Sequence, residues 1–397
     1  MMNNKVVLAF SGGLDTSFCV PWLKLEKGLE VHTIMVNTGG FSDEEAQKIE
    51  ERALELGAAS HVNINAIDEY YTKGIKYLLF GNILKNSTYP LSVSSERVFQ
   101  AMAVLEHVKK LGAAYVAHGS TGAGNDQVRF DLVFEVMAPE VKVLAPIREL
   151  QLSRKQEIDY LQERGFSFSW EKAKYSINQG LWGTSVGGIE TLTASGVLPE
   201  EAYPSQIKTD KPLRIKIGFE KGEPTSLNGE KGSPVEIINK INSIGGDYGV
   251  GRDIHVGDTI IGIKGRVGFE APAALILIKG HHLLEKHILT KGQLYWKEQL
   301  AGWYGQLMHE AQYLEPLMRN IETFLEDTQK YVTGEVEVEL RPYHFAVLGC
   351  QTKYDLMSSK FGDYGEANKS FTGQDVIGFT KVLANPLKIY YSVHKDD

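Results

Sequence analysis

The chain has 397 residues, well above the ~100 to 200 residues of a typical domain, which predicts two or three domains and excludes a small disulfide-stapled scaffold. Its 42 Lys and Arg residues against 50 Asp and Glu give a net charge of −8, which disfavours a nucleic-acid partner. The 2 cysteines are too few for a disulfide framework, and no apolar run reaches the roughly 18 residues of a membrane span. These features predict a cytoplasmic protein with no membrane or nucleic-acid partner.

The first third of the sequence alternates short β-branched runs with helical periods, which is typical of parallel βαβ units. Strands are predicted at 5–10, 31–37, 60–64, 114–117 and 141–145. Capping-box patterns start two of the intervening helices, at Ser42 with Glu45 and at Ser153 with Gln156, and another helix is predicted at 95–111. Right-handed crossovers would place these helices on both faces of a parallel sheet, so the predicted fold class is α/β.

The sequence after about residue 170 predicts an α+β arrangement. Strands are predicted at 213–219, 334–340 and 344–350. A helix is predicted to open at Ser233 and Pro234. Residues 290–331 form a long, amphipathic and almost uninterrupted stretch, whose aromatic side chains are expected in the core or at a subunit interface.

A loop of small residues joins the first predicted strand to the first helix. It consists of Ser11, Gly12, Gly13, Leu14, Asp15, Thr16 and Ser17. Glycines let the backbone approach an anion, and the helix N-terminus and hydroxyls favour phosphate. The loop matches neither the P-loop nor the dinucleotide fingerprint. Because Asp15 would repel a polyphosphate without an intervening cation, it indicates Mg²⁺; the alternative is a capped glycine turn without a ligand.

This loop resembles the pyrophosphate loop of the N-type ATP pyrophosphatases, which adenylate an oxygen atom. Two further segments, HGSTGAGNDQVR at 118–129 and YSINQGLWGTS at 175–185, are similar to the substrate motifs of the argininosuccinate synthase family. The resemblance implies an adenine nucleotide alpha hydrolase-like domain at 1–168, a synthetase domain at 169–360 and an oligomerisation segment at 361–397. It also implies a homotetrameric ligase that joins citrulline to aspartate through a citrullyl-adenylate, with release of AMP and pyrophosphate.

The resemblance also assigns site residues by their positions in these motifs. Contacts to ATP are expected from Ala9, Phe10, Ser11, Gly12, Gly13, Leu14, Asp15, Thr16, Ser17, Val36 and Gly119. Contacts to aspartate are expected from Thr121, Asn125 and Asp126, and contacts to citrulline from Tyr89, Ser94, Asn125, Arg129, Ser176 and Ser185. The predicted catalytic residues are Asp15, Asp126 and Arg129. Mg²⁺ is expected to arrive with ATP, with Asp15 as its candidate ligand, and no organic cofactor or protein-only metal site is expected.

One part of the citrulline site departs from the family. Relatives carry a Glu and, twelve residues later, a Tyr around the α-amino end of citrulline, where this chain has Gly257 and Phe269. Either Asp258 supplies the missing carboxylate, or the substrate is an α-N-acylated citrulline such as the N-acetyl or N-succinyl form. Drift with local repacking around ordinary citrulline is the third possibility. The sequence leaves all three open.

Two rival functions share the loop type. A tRNA-modifying adenylating enzyme would be expected to have a basic surface and often a cysteine pair, whereas this chain is acidic with two isolated cysteines. A nucleotide-binding module without turnover would bind ATP and release no pyrophosphate. Outside the predicted site, Cys19 is expected in the core, and Arg97 is either a further anion contact or a surface charge.

Overall fold

The N-terminal domain is built on a parallel sheet of five strands. The computed structural model describes residues 3–166, 168, 175–358 and 370–395. The strands are β1 (Lys5–Ala9), β2 (Glu30–Asn37), β3 (Ser60–Asn65), β4 (Tyr115–Ala117) and β5 (Lys142–Leu144). Their spatial order is β3-β2-β1-β4-β5, and every neighbouring pair is parallel. The predicted α/β class and parallel sheet are confirmed.

Helices cover both faces of this sheet. Along β1, Val6 and Leu8 pack in one buried cluster with Phe18, whereas Val7 packs in another with Val98, because alternate side chains of a strand point to opposite faces. The predicted capping boxes at Ser42 and Ser153 are present. The α-helices of this domain are Leu14–Leu25, Asp43–Glu55, Ile67–Tyr70, Lys76–Phe80, Ser92–Leu111, Asp126–Met137, Pro146–Leu150 and Arg154–Glu163.

The C-terminal domain contains two antiparallel sheets. Their strands are β6 (Ser176–Gly180), β7 (Gly183–Gly187), β8 (Leu213–Glu220), β9 (Glu223–Leu227), β10 (Glu230–Lys231), β11 (Arg252–Asp258), β12 (Lys264–Glu270), β13 (Gly334–Arg341) and β14 (His344–Gln351). The first sheet has the strand order β11-β12-β7-β6, and the second has the order β10-β9-β8-β13-β14. The accompanying helices are Pro234–Gly246, Pro272–Ile288, Lys291–His309 and Pro316–Thr328.

The predicted stretch at 290–331 is broken into separate helices. The first, Lys291–His309, is followed by Ala311 with φ +61°, a left-handed conformation that ends a helix. Pro316 then begins the next helix, where its missing N–H costs nothing. The stretch therefore packs as a bent pair of helices.

Two short helices, Gly373–Leu383 and Asn385–Val393, form the end of the described chain. We call residues 370–395 the C-terminal arm. Every residue of the arm is exposed except Ala384, which is half-buried. The predicted domain boundary at 168 adjoins residues 169–174, and that at 360 falls within 359–369; both stretches lie outside the described residues. In the part of the chain that the structure describes, none of the helices is long and apolar enough to cross a bilayer.

Candidate active site

A large cavity opens at the carboxyl edge of the parallel sheet. Its volume is about 1010 Å³, and its walls come from the ends of β1, β2 and β4 and from the facing sheet of β6, β7, β11 and β12. The next strand along the chain, β2, lies on one side of β1, and β4 lies on the other side. The strand order therefore reverses at β1. Open α/β sheets bind ligands at such a point. The position of the cavity is thus that of a ligand-binding site.

The cavity gathers most of the predicted site residues. Those on its wall are Ala9, Phe10, Ser11, Gly13, Leu14, Asp15, Thr16, Val36, Tyr89, Ser94, Gly119, Thr121, Asn125, Asp126, Arg129, Ser176 and Ser185. Gly12 and Ser17 are not on the wall, and the Ser17 hydroxyl is fully buried with no partner among the described residues. The structure brings the predicted set together, while the ligand assigned to each residue stays a prediction.

The loop after β1 is shaped to place its backbone against an anion. Gly12 has φ +74°, and its carbonyl accepts a hydrogen bond from Arg52 Nη1 at 2.5 Å. The Ser11 hydroxyl lies 3.4 Å from Thr16 Oγ1 and accepts from the Gly13 N–H at 3.5 Å. Gly13 is the extended N-cap of the first helix, whose first N–H groups have no intrahelical partner. These donors at the cavity wall suit a phosphate group.

A second carboxyl group, which the sequence did not single out, adjoins Asp15. Glu157 is buried, and burial together with the Asp15 carboxylate raises its pKa to about 8. Burial and the neighbouring Asp15 carboxylate therefore favour the protonated form of Glu157, and Asp15 itself lies on the cavity wall. Within the described residues, no three His, Cys, Asp or Glu side chains cluster as a metal site. A Mg²⁺ ion here would use Asp15 and complete its coordination with phosphate oxygens and water.

Asp126 lies between two guanidinium groups. Arg97 Nε donates to Asp126 Oδ2 at 3.0 Å, and Arg129 Nη1 donates to Oδ1 at 2.6 Å. Burial favours the neutral acid, but the two arginines outweigh it and lower the pKa of Asp126 to about 2. The carboxylate stays charged at physiological pH and retains acceptor capacity for a substrate ammonium group.

Arg97 is buried within this network rather than being a surface charge. Its Nη1 donates to Glu96 at 2.7 Å and to Gln100 at 2.9 Å. The Thr38 hydroxyl donates to the other Glu96 oxygen at 2.8 Å. Burial raises the pKa of Glu96 to about 7 despite the attraction of Arg97. Arg97 therefore links an acid that titrates near neutrality to Asp126, which does not.

The C-terminal domain contacts the N-terminal domain at Arg129. Arg129 Nε donates to the backbone carbonyl of His309 at 3.0 Å, and Nη2 lies 3.4 Å from His309 Nδ1. His309 ends the helix Lys291–His309 and is buried on the cavity wall. The two residues are 180 positions apart, and no local sequence signal pointed to His309.

The residues that stand in place of the family's Glu and Tyr lie on paired strands. Phe269 is fully buried and packs on Tyr89, with ring centroids 5.4 Å apart. A Cβ at Gly257 would lie 2.7 Å from His255 Nε2, so this imidazole fills the space that a side chain at 257 needs. His255 also stacks on Tyr89 at 5.0 Å. Its position two residues before Gly257, on the same face of β11, is a signal that could have identified it.

Asp258, the candidate replacement for the missing carboxylate, also lies on the cavity wall. Its side chain is exposed and pairs with Lys264 at 2.5 Å. An exposed ion pair of this kind contributes only about 0–1 kcal/mol, so a ligand could compete with it. Substitution of the lost carboxylate by Asp258 stays a prediction.

The fold and the cavity define a two-domain protein whose α/β half has a loop suited to phosphate at the cavity wall. Two family models match the chain: the Arginosuccinate synthase N-terminal HUP domain over residues 5–167 and the Arginosuccinate synthase C-terminal domain over residues 175–390. Together they span most of its length. The chain belongs to the argininosuccinate synthase family.

Curated relatives are similar over nearly their whole length. Argininosuccinate synthase from Methanocaldococcus jannaschii is 38% identical over 386 residues, which cover 96% of both chains. The proteins of the same name from Xylella fastidiosa and Pyrobaculum aerophilum are 37% and 38% identical. These matches cover 100% and 91% of this chain and 99% and 92% of the relatives. The similarity therefore includes both domains.

These comparisons bear on the alternatives that the sequence left open. The relatives have the unqualified name argininosuccinate synthase, which does not favour the N-acylcitrulline alternative. Matches to both domains of one synthase family also leave the tRNA-modifying enzyme without support.

Proposed function

We propose that this chain is a C–N bond-forming ligase that joins citrulline to aspartate in arginine biosynthesis, with ATP as co-substrate and AMP and pyrophosphate as products. The main supporting observation is one cavity whose wall includes the phosphate-binding loop and both substrate motifs. The family and the names of the relatives agree with this chemistry.

The chemical problem is a poor electrophile, because the ureido carbon of citrulline is flanked by two nitrogens. The ureido oxygen attacks the α-phosphorus of ATP, and pyrophosphate leaves. The aspartate amine, after losing a proton, attacks the ureido carbon, and AMP leaves with its oxygen. Such steps need positioning and charge stabilisation rather than a nucleophilic side chain, which agrees with a cavity lined by donors and fixed charges.

The loop after β1 is proposed to bind the phosphates through the N-terminus of the helix Leu14–Leu25. Asp126 is proposed to receive the aspartate ammonium group, since its carboxylate is held ionised. Arg129 is proposed to face the citrulline carboxylate, the natural partner of a guanidinium. Asn125 lies beside both, with its Oδ1 accepting from the Ile260 N–H at 2.8 Å. Mg²⁺, held by Asp15 and phosphate, would neutralise polyphosphate charge.

The proposed assembly is a homotetramer in the cytoplasm. The C-terminal arm exposes apolar side chains that include Phe379, Val382 and Tyr391. The helix Lys291–His309 exposes Tyr295, Trp296 and Trp303, and large exposed apolar patches are typical of interfaces. Both cysteines are free, which suits a reducing compartment.

The test is identification of products by mass spectrometry from ATP, aspartate and one ureido substrate. Citrulline should give argininosuccinate, AMP and pyrophosphate. N-acetylcitrulline and N-succinylcitrulline are parallel substrates, and a tenfold higher kcat/KM for either would contradict free citrulline as substrate. ATP binding without pyrophosphate release in any mixture would instead support a module without turnover.

A further inference from the structure

His309 has two acceptors directed at one guanidinium group. Its backbone carbonyl oxygen lies 3.0 Å from Arg129 Nε, and its Nδ1 lies 3.4 Å from Arg129 Nη2. An arginine side chain has donors and no acceptor. Nδ1 must therefore accept, which requires an imidazole without a proton on Nδ1. Both side chains are buried.

The surroundings keep His309 in the required neutral form. Burial lowers the pKa of His309 to about 2, with Arg129, Lys85 and His255 acting in the same direction and Asp126 against them. The neutral tautomer that accepts at Nδ1 has its proton on Nε2. That Nε2 is buried and has no hydrogen-bond partner among the described residues.

The unpaired Nε2–H is unfavourable for stability, because a buried donor without a partner loses its bonds to water. Phenylalanine would fill a similar volume without this unpaired donor, but it would also remove the acceptor of Arg129 Nη2. Such a penalty is expected to persist where a residue serves function rather than folding. The ring lies on the cavity wall beside Arg129, the residue assigned to the citrulline carboxylate.

We propose that His309 is a positioning residue that orients the Arg129 guanidinium for the carboxylate of the ureido substrate. The proposal rests on the proposed function. The proposal adds a residue of the C-terminal domain to the substrate-binding site. This residue lies on the helix Lys291–His309, whereas Gly257 and Phe269, which stand in place of the family's polar pair, lie on β11 and β12. Binding of the substrate carboxylate then depends on how the helix Lys291–His309 packs against the helix Asp126–Met137.

The test compares His309→Asn and His309→Phe. Asparagine keeps an acceptor, Oδ1, near the place of Nδ1, whereas phenylalanine has none. We expect His309→Phe to raise KM for citrulline at least tenfold, with kcat and KM for ATP within threefold of wild type. We expect KM for citrulline in His309→Asn to lie much closer to the wild-type value. We also expect Tm of His309→Phe to stay close to that of wild type, because removal of the unpaired Nε2–H offsets loss of the bond to Arg129 Nη2, whereas a merely structural role would lower Tm.

His344→Phe, an exposed substitution on β14, is the matched control. Unchanged KM for citrulline in His309→Phe, or an equal fall in kcat for all substrates with a lowered Tm, would overturn the proposal. Crystal structures of wild type and His309→Phe show whether the guanidinium has moved, independently of turnover. If wild type forms no product, the proposed function fails, while an unmoved Arg129 in His309→Phe would refute the positioning role.

Discussion

At the scale of single residues, the two carboxyl groups that contact Arg97 differ in protonation. Asp126 receives bonds from two guanidinium groups, and its pKa is lowered to about 2, whereas burial outweighs the single arginine at Glu96 and raises its pKa to about 7. The difference follows from the number of cationic partners and from exposure, because the Asp126 side chain is 37% exposed and that of Glu96 only 1%. The network therefore contains one fixed and one titratable negative charge.

The raised pKa of Glu96 predicts a pH dependence of stability. The folded-state pKa of about 7 exceeds the ordinary value of 4.5, so the folded protein binds an extra proton between these values. The stabilisation that proton binding by Glu96 contributes is fully present below about pH 4.5 and is lost as pH rises through 7. The difference in unfolding free energy between wild type and Glu96→Gln should fall by roughly 3 kcal/mol across this window.

Guanidinium denaturation at intervals from pH 4 to 8 measures this difference. Glu44→Gln, an exposed substitution on the helix Asp43–Glu55, is the control and should follow the wild-type profile. A wild-type minus Glu96→Gln difference that is constant with pH would contradict the buried, proton-binding state of Glu96.

Arg97→Lys should impair use of aspartate. Lysine is a point charge that cannot bond Glu96 and Asp126 together as the planar guanidinium does. Without the bond from residue 97, the Asp126 carboxylate can rotate. Because a buried ion pair is weakened, kcat/KM for aspartate should fall roughly 10- to 100-fold. Steady-state kinetics with aspartate varied check this. Arg341→Lys, at an exposed arginine, should be neutral, and a neutral Arg97→Lys would show that Arg97 does not position Asp126.

Sequence motifs located the residues of the cavity that lie in contiguous segments, and they could not locate those that arrive from elsewhere. Asp15 and Asn125 are on the wall because each follows a strand whose carboxyl end faces the cavity. Glu157 and His309 were missed, since each meets its partner only through packing of distant helices. Arg97 remained ambiguous because burial, which decides its role, is not encoded within its own helix.

At the scale of elements, the loop after β1 depends on the left-handed conformation of Gly12. A Cβ there would lie 3.0 Å from Ile49 Cγ1, in addition to the backbone strain of φ +74°. Either the Ile49 side chain or the loop must shift by a few tenths of an ångström to relieve this contact, and we expect the strained loop to move its N–H groups away from the phosphates. Gly12→Ala should weaken ATP binding at least tenfold and lower stability by about 1–2 kcal/mol. Titration calorimetry with ATP measures the first effect.

Gly28→Ala is the matched control for this substitution. Gly28 has φ +65°, but a Cβ there meets nothing within 4 Å, and the residue is exposed. It should show a similar loss of stability with unchanged ATP affinity. Equal ATP affinities in Gly12→Ala and wild type would show that the loop does not bind phosphate in this conformation.

The strands of the parallel sheet were predictable because each is a short run that contains β-branched residues and is followed by a turn or helix cap, and β1 and β2 are largely buried. The helix Asp126–Met137 was not predicted. Neighbouring Arg129 and Phe130 are both buried, so its pattern lacks a clear polar face, and its N-cap Asn125 makes no capping bond. The end of the helix at His309 was likewise not predicted from the sequence, because the left-handed residue that follows it is Ala311 rather than a glycine.

At the scale of the whole molecule, the C-terminal arm is two helices of 11 and 9 residues that are exposed almost throughout. Isolated helices shorter than about 12–15 residues are marginal in water, so most of their stability must come from packing. The arm packs little against its own chain and exposes large apolar side chains, among them Phe379 at 65% and Val382 at 74%. We propose that a second copy of this chain covers the arm, because its exposed Trp296 and Trp303 would offer an apolar surface.

Removing the arm should therefore reduce the assembly. Full-length protein is expected to have a mass in light scattering near four chains of 44.1 kDa, and a chain ending at residue 358 should have a lower mass. Val382→Asp should act in the same direction because it places a charge in the apolar contact, whereas Gln374→Asp on the same helix should leave the mass unchanged. A monomeric full-length chain, or a tetramer that survives truncation at 358, would contradict the role of the arm. Because no residue of the described arm lies on the cavity wall, the truncated protein should keep its citrulline KM within about threefold, which separates assembly from substrate binding.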